Sequence, residues 1–342
     1  MKKIIGLIAL SVISIGCTGT PISVVHSSDE LDFFTQDIYG ENTFNVNNVS
    51  SWNSAINTIR NGGNNQTYII NVTNNISVPV PPNNENLFGS VTGLTVTILG
   101  GRTISISNST GSLLIIGSRQ EVIVKNITLR GRPDNNGAVV IVKNNSIFRM
   151  EDNAIITGNS NRSGYGGVLV DGGNFLMQGG NISSNSTTHR GGGVLIINNG
   201  TFTMQGGSIS GNSSVTNPAG GVSVDHGTFI MDGGTISDNT SASLGTGVFV
   251  SDNGTFIMNG GIISGNTNNY NYDGGGGVFV DSRATFNKTG GIIYGNDINH
   301  RLNNISGRQG HAIFKRSSTN QWRNATAGPD DNTDSYGFWL ND

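Results

Sequence analysis

Between about residues 137 and 296 the chain is written in short runs whose alternate positions are apolar, each run ending in Gly, Asn, Asp or Ser. Val168-Leu169-Val170, Phe175-Leu176-Met177 and Ile182-Ser183-Ser184 are one such set. Period-two alternation over three or four residues, closed by turn formers, predicts short strands. The set then recurs. Phe148, Phe175, Phe202, Phe229 and Phe256 stand 27 residues apart, and Phe286 follows after 30. Met150, Met177, Met204, Met231 and Met258 form a second column, in which Lys288 takes the last place. Ile155, Ile182, Ile209, Ile236, Ile263 and Ile293 form a third. Asn159, Asn185, Asn212, Asn239, Asn266 and Asn296 form a fourth, with Asn159 one residue out of step. Three strands and three turns in about 27 residues make one coil of a solenoid. A propeller blade needs four strands in ~40–45 residues, and a leucine-rich repeat needs a Leu consensus. The expectation is an all-β chain: a single right-handed parallel β-helix of about eight three-strand coils.

Two repeated features that resemble chemistry read better as architecture. The pairs Gly179-Gly180, Gly206-Gly207, Gly233-Gly234, Gly260-Gly261 and Gly290-Gly291 are followed by no Lys-Ser/Thr and no helix. They are therefore expected to be tight corners needing positive φ and not phosphate loops. The Asn column is expected to be an amide ladder, each side chain bonded to its copies above and below.

Looser strands continue upstream at Leu113–Ile116, Val122–Val124, Ile127–Leu129, Ile76–Val78, Leu94–Ile98, Thr103–Ile106 and Tyr68–Val72. Ahead of them Trp52, Ala55, Ile56 and Ile59 share one helical face, with Gly62-Gly63 as a stop. Such a helix would cover the open first coil, whose free strand edges invite aggregation. The expected boundaries are a signal peptide over 1–16, a tether over 17–49, a capping helix over 50–63, the β-helix over 64–296 and a C-terminal coil and cap over 297–342. His311–Phe314 is a candidate last strand, and Trp322 and Phe338-Trp339 are candidate closing residues.

Composition narrows the functions. Gly is 51 of 342 residues without a Gly-X-Y period, which excludes collagen, and charged residues are 12 %, about half the usual ~25 %. A net charge of −3 gives no basic field for nucleic acid. The one Cys rules out a disulfide framework and a Cys-rich zinc site. It has its own context: Met1-Lys2-Lys3 is a positive start, and Ile4–Ile15 is an apolar run too short to span a bilayer. Ser14-Ile15-Gly16-Cys17 follows, and it resembles the lipobox of bacterial lipoproteins, with Ser14 where Leu or Val is usual. That resemblance implies acylation at Cys17, a membrane partner reached through the lipid, and, with Thr18 next, an outer-membrane address.

The repeat itself is similar to the Gly-Gly-Val…Gly-Thr-Phe-x-Met-x-Gly-Gly-x-Ile-Ser-x-Asn units of β-helix surface lipoproteins of spirochaetes, Treponema in particular. Residues 200–212 carry it plainly, and the likeness extends from about Trp52 to Gly328, including Lys288–Gly295 and Arg323–Pro329. More distantly it resembles the repeats of chlamydial polymorphic outer-membrane proteins, with Phe256-Ile257-Met258-Asn259 as the best match. The resemblance implies a surface-exposed, host-facing protein, and it implies no reaction and no defined ligand. A host macromolecule or a glycan is the expected partner, and no cofactor is expected.

Parallel β-helices also carry polysaccharide lyases and hydrolases, whose sites set carboxylates on stacked turns. The position after the Val strand reads Asp171, Ile197, Asp225, Ser251 and Asp281. Alternate coils lie ~9.6 Å apart, too far for a retaining pair and near the upper limit for an inverting one, though Asp252 would shorten one gap. Solvated turn residues are the expectation. His26, His189, His226, His300 and His311 are scattered, with Asp225-His226 the one pair at a coil corner. The more informative row is the outward position of the Val strand: Ile141, Leu169, Leu195, Ser223, Phe249 and Phe279. Beside it lie the loops Ser186–Arg190, Ser213–Ala219, Thr240–Leu244 and Thr267–Asp273, where the copies differ in length and sequence. Leu169, Leu195, Phe249 and Phe279 are therefore the candidate binding surface, unless the loops fold over them. Neither a catalytic set nor a metal site is expected.

Overall fold

The computed structural model describes residues 42–117, 119–161, 165–268, 274–295, 302–306, 312–316 and 322–325. It is an all-β parallel solenoid of about nine turns, one more than expected, with one α-helix at its start. Four sheets run along it, and within each the strands neighbour one another in order of coils. The Phe–Met sheet has ten strands, the Ile sheet nine, a short sheet five and the Val sheet nine. Two representative coils show the pattern. Val194–Ile197, Thr201–Met204, Ser208–Ser210 and Ser213–Ser214 are followed by Val222–Asp225, Thr228–Met231, Thr235–Ser237 and Thr240–Ser241.

Parallel pairing in strict register puts each residue type on its own copy. Phe148, Phe175, Phe202, Phe229, Phe256 and Phe286 are successive partners. Their ring centroids are 5.2, 4.5, 4.9, 4.8 and 4.9 Å apart, with interplanar angles of 6–29°. These rings are buried, as are the five Met of the next column and the paired Val of the Val sheet. Stacked rings held at the strand spacing gain dispersion beyond their area burial. Lys288 ends the Met column opposite Met258, and desolvation lowers its ammonium pKa below the usual 10.5.

The corners follow the sequence's logic. Gly180, Gly207, Gly234, Gly261 and Gly291 have φ of 78–86°, a region where a Cβ is strained. At Gly234 a Cβ would also lie 2.5 Å from Cε of Met204 in the preceding coil. The Asn column is a buried ladder. The Asn212 Oδ1 accepts from the backbone N–H and from the side-chain amide of Asn185, both at 3.1 Å. The Asn212 Nδ2 donates to Asn239 Oδ1 at 3.1 Å and to the Ile182 carbonyl at 2.8 Å. All four hydrogen-bonding positions of the amide are used, as a buried Asn requires.

Four details depart from the sequence reading. First, each regular coil has a fourth strand, the two-residue member of the short sheet (Ser160–Asn161, Ser186–Thr187, Ser213–Ser214, Thr240–Ser241, Thr267–Asn268). Its inward residues are polar, so apolar alternation could not reveal it. Second, the Ile column begins at Ile156, the partner of Ile182, while Ile155 faces outward opposite Asn181. The turn after Met150 is one residue longer than its copies, so Asn159 is in step with Ile156 after all. Third, the ladder runs from Asn266 to Asn304, whose Oδ1 accepts from Asn266 at 2.8 Å; Asn296 lies outside the described residues. Fourth, Thr43–Val46, read as tether, is a strand β1 pairing in parallel with β2 (Thr67–Val72).

Between β1 and β2 lies α1 (Val49–Asn61), which buries Trp52, Ala55, Ile56 and Ile59, the face expected. Asn48 caps it by accepting from the Ser51 N–H at 2.9 Å, and Ser51 Oγ accepts from the Asn48 N–H. At the far end Ile313–Arg316 adds one more parallel strand to the Val sheet, and Trp322–Ala325 pairs with it antiparallel.

Three substitutions test this packing. Phe229→Ala, in the middle of the ring stack, is expected to lower unfolding free energy by about 3–5 kcal/mol in a urea titration. Asn212→Leu leaves two buried donors of Asn185 without an acceptor and is expected to cost about 2–5 kcal/mol in the same measurement. Lys288→Met should raise the urea midpoint at neutral pH. In the parent the lowered pKa makes folding favour the neutral amine, so stability should rise as pH climbs through that pKa and level off above 10.5. The Met variant should lack that rise.

Candidate functional site

Along the Val sheet the side chains alternate between the lumen and the outside. Val194, Ile196, Val222, Val224, Val248 and Val250 point in and are fully buried. Leu169, Leu195, Ser223, Phe249 and Phe279 occupy the outward row in register, and Phe314 extends it. The structure corrects the idea of an open apolar patch here. Leu169, Leu195 and Phe249 are 4 % exposed and Phe279 is 1 %. In the coils between Thr187 and Val248 the residues after the short sheet fold back over this row, because six or seven residues of loop must return from there to the Val sheet. Ala219 and Leu244 from those loops pack on Phe249, Phe279 and Phe314, while Ala138 and Tyr165 pack with Leu169 and Leu195. The outward Phe rings stack at 5.3 and 5.6 Å, a second aromatic column outside the coil.

Ser223 separates the two apolar clusters. It is fully buried, and its hydroxyl has no hydrogen-bond partner. Two residues along the same strands lies the acidic row. The register pairs Asp225 with Ser251, and Asp252 follows directly. The structure brings Arg190 onto this spot from the end of its loop. Its guanidinium is 5.4 Å from the Phe249 ring centroid. Its Nη1 donates to Asp225 Oδ2 at 3.1 Å and to Ser251 Oγ at 3.4 Å, and lies 3.7 Å from Asp252 Oδ2. Arg283 Nη2 holds the other oxygen of Asp252 at 2.6 Å. His226, with φ of 55° at the corner, sets Nδ1 3.0 Å from Asp225 Oδ1. The cation over an aromatic face, tied to two carboxylates, fixes the loop against the sheet.

These carboxylates are therefore paired and not merely solvated. Asp171 accepts from Asn198 Nδ2 at 2.6 Å, and Asp281 accepts from the Ser282 N–H at 2.7 Å. Ligand atoms of Asp225, His226 and Asp252 lie within 4.8 Å of one another, close enough to share a metal ion. Arg190 sits between the carboxylates, so a cation would have to displace a guanidinium there. Cys17, His26, His300, His311 and Phe338-Trp339 lie outside the described residues. Sequence reading missed Arg190 and Arg283; the available signal was that Arg190 is the one Lys or Arg in the loops of residues 186–190, 213–219 and 240–244.

No family profile, no curated protein and no solved structure matches the chain.

Burial of the outward row changes what its substitution does. Phe249→Ser is expected to cost about 3–5 kcal/mol, as for a core aromatic, and to remove the seat of Arg190. Chemical denaturation measures the first effect. Limited proteolysis measures the second, with faster cleavage expected within residues 186–193 in both Phe249→Ser and Arg190→Ala.

Proposed function

We propose that this chain is a non-catalytic, lipid-anchored surface scaffold that displays a binding edge for a host macromolecule or a glycan. The observation that carries the reading is the contrast between the coil and one of its edges. Phe, Met, Ile, Asn and Gly repeat with almost no change through the coils, whereas the segments at 186–190, 213–219 and 240–244 differ from copy to copy. Constancy in the stack and variety along one edge is how a solenoid separates stability from recognition. Arg190, Ala219 and Leu244 hold those loops on the Val sheet, which presents them in fixed order. The anchor in this reading is an acylated Cys17, and several acyl chains would give stable attachment to an outer membrane.

Two measurements test it. Mass spectrometry of the mature N-terminus is expected to find an acylated Cys17; an unmodified Cys or cleavage elsewhere removes the anchor. Cells displaying the chain should adhere to immobilised host-surface glycoproteins or to a glycan array, and exchange of 213–219 and 240–244 for Gly-Ser segments should abolish adherence. An anchored, exposed chain that binds nothing would instead be a structural envelope protein.

A second reading, a polysaccharide lyase or hydrolase, draws on Asp225 and Asp252 lying on neighbouring coils beside Arg190. Such a site would use the pair for proton transfer at an acidic sugar. The scaffold reading expects no turnover of polyanionic polysaccharides; turnover lost in Asp225→Asn and Asp252→Asn would replace it.

A further inference from the structure

The outer side of the Phe–Met sheet carries an apolar row of its own. Its centre reads Ile123, Arg149, Leu176, Thr203, Ile230 and Ile257 in successive coils. Each of these side chains is half-exposed, and none belongs to the clusters that bury the outward row of the Val sheet. The face is also flat. The Phe rings directly beneath it, from Phe175 to Phe256, stay within 6–9° of parallel from coil to coil, where ordinary sheets turn by ~20–25° per strand. A flat row of half-exposed Ile and Leu over several coils marks a partner surface.

Charge identifies the partner. About the strand Asn174–Met177 the two halves of the repeat are oppositely charged. Residues 42–173 hold nine Lys and Arg against six Asp and Glu, net +3, and residues 178–296 hold three against six, net −3. A second copy lying alongside with its coil axis reversed brings unlike halves together, whereas a parallel copy brings like halves together. A two-fold axis along Asn174–Met177 closes that arrangement into an isologous pair. It sets Leu176 against its own copy, Ile123 against Ile230 and Thr97 against Ile257. The next outward position along the strands holds Lys125 and Asp232, two coils to either side of the axis, so each Lys125 faces the Asp232 of the other copy. Moving the axis half a coil toward the C-terminus would oppose Glu151 and Asp232, and moving it the other way would leave Lys125 opposite Gln205. The central register alone pairs the charges. It overlaps nine of the ten strands. At ~4.8 Å per strand and ~3.3 Å per residue over four residues, that is roughly 1,100 Å² for both copies, above the ~1,000 Å² a specific interface should clear.

We infer that the outer face of the Phe–Met sheet is a homodimer interface, on which a second copy of this chain packs face to face and antiparallel. It rests on neither the anchor nor the ligand of the proposed function. Sedimentation velocity of the full chain in a mild detergent is expected to show a dimer that Ile230→Asp weakens at least tenfold. Thr203 and Asn287 hold places in the same row, so a polar side chain there keeps the fold, and an unchanged urea midpoint checks this. Lys125→Glu should weaken the dimer, and adding Asp232→Lys should restore it. Facing sheets lie ~10 Å apart, within reach of a short bismaleimide. Leu176→Cys should therefore cross-link to itself, with the parent and its one Cys, Cys17, as the blank. Two Ile257→Cys chains, ~29 Å apart at ~4.8 Å per coil, should not, and should cross-link only when mixed with Thr97→Cys. The inference is overturned if the full chain stays monomeric at tens of micromolar or if Ile230→Asp dimerises like the parent. Self-cross-linking of Ile257→Cys would also overturn it, placing the copies parallel.

Discussion

Axial register is the constraint on which everything else in this molecule depends. Each strand bonds to the same strand of the next coil, so a side chain's nearest neighbours are its own copies. A residue type is admissible only if it packs well on itself. Phe rings do so by offset stacking, Asn by donating and accepting along one line, and Gly by leaving room for the Met of the coil before. A charge does not, and few charges occur in the columns. Lys288, the one cation in the Met column, appears only where the column stops.

The same constraint explains what could be read without coordinates. Columns that must match themselves produce identities at a fixed spacing, so the coil, its Phe, Met and Asn ladders and the Gly-Gly corners were visible in the sequence, as was the capping helix with its Trp52–Ile59 face. What was hidden follows equally. The short sheet is two residues wide and polar inside, and thus has no apolar signature; its inward Thr187, Ser214 and Ser241 are nonetheless buried. The extra residue after Met150 moved Ile155 out of the column because identity alone cannot show which of two adjacent Ile faces in. The outward row was located correctly but its burial was not, since loop conformation is set by tertiary contacts such as Arg190 on Phe249. Arg190 reaches Asp225 and Asp252 across 35 and 62 residues of sequence, a pairing that no local pattern encodes.

Energetically the structure has two layers of different character. Inside, cohesion is spread evenly over columns, and no single coil is self-sufficient. Outside, the loops are held by a few discrete contacts: a guanidinium, two carboxylates and a short aromatic stack that begins beyond Ser223. The outer layer can be altered with small effect on the inner one, provided Phe249 and Phe279 keep their seats.

The antiparallel strand Trp322–Ala325 has a consequence for growth of the stack. Every other pairing in the Val sheet is parallel, and a parallel edge is a template for one more coil from any chain with the same repeat. The reversed strand presents that sheet's edge with the opposite hydrogen-bond polarity. An incoming copy in the orientation of the stack would meet an antiparallel ladder there, unlike the parallel one between every two successive coils. A sequence built of interchangeable units thus closes its described Val sheet with a strand that is not one of those units.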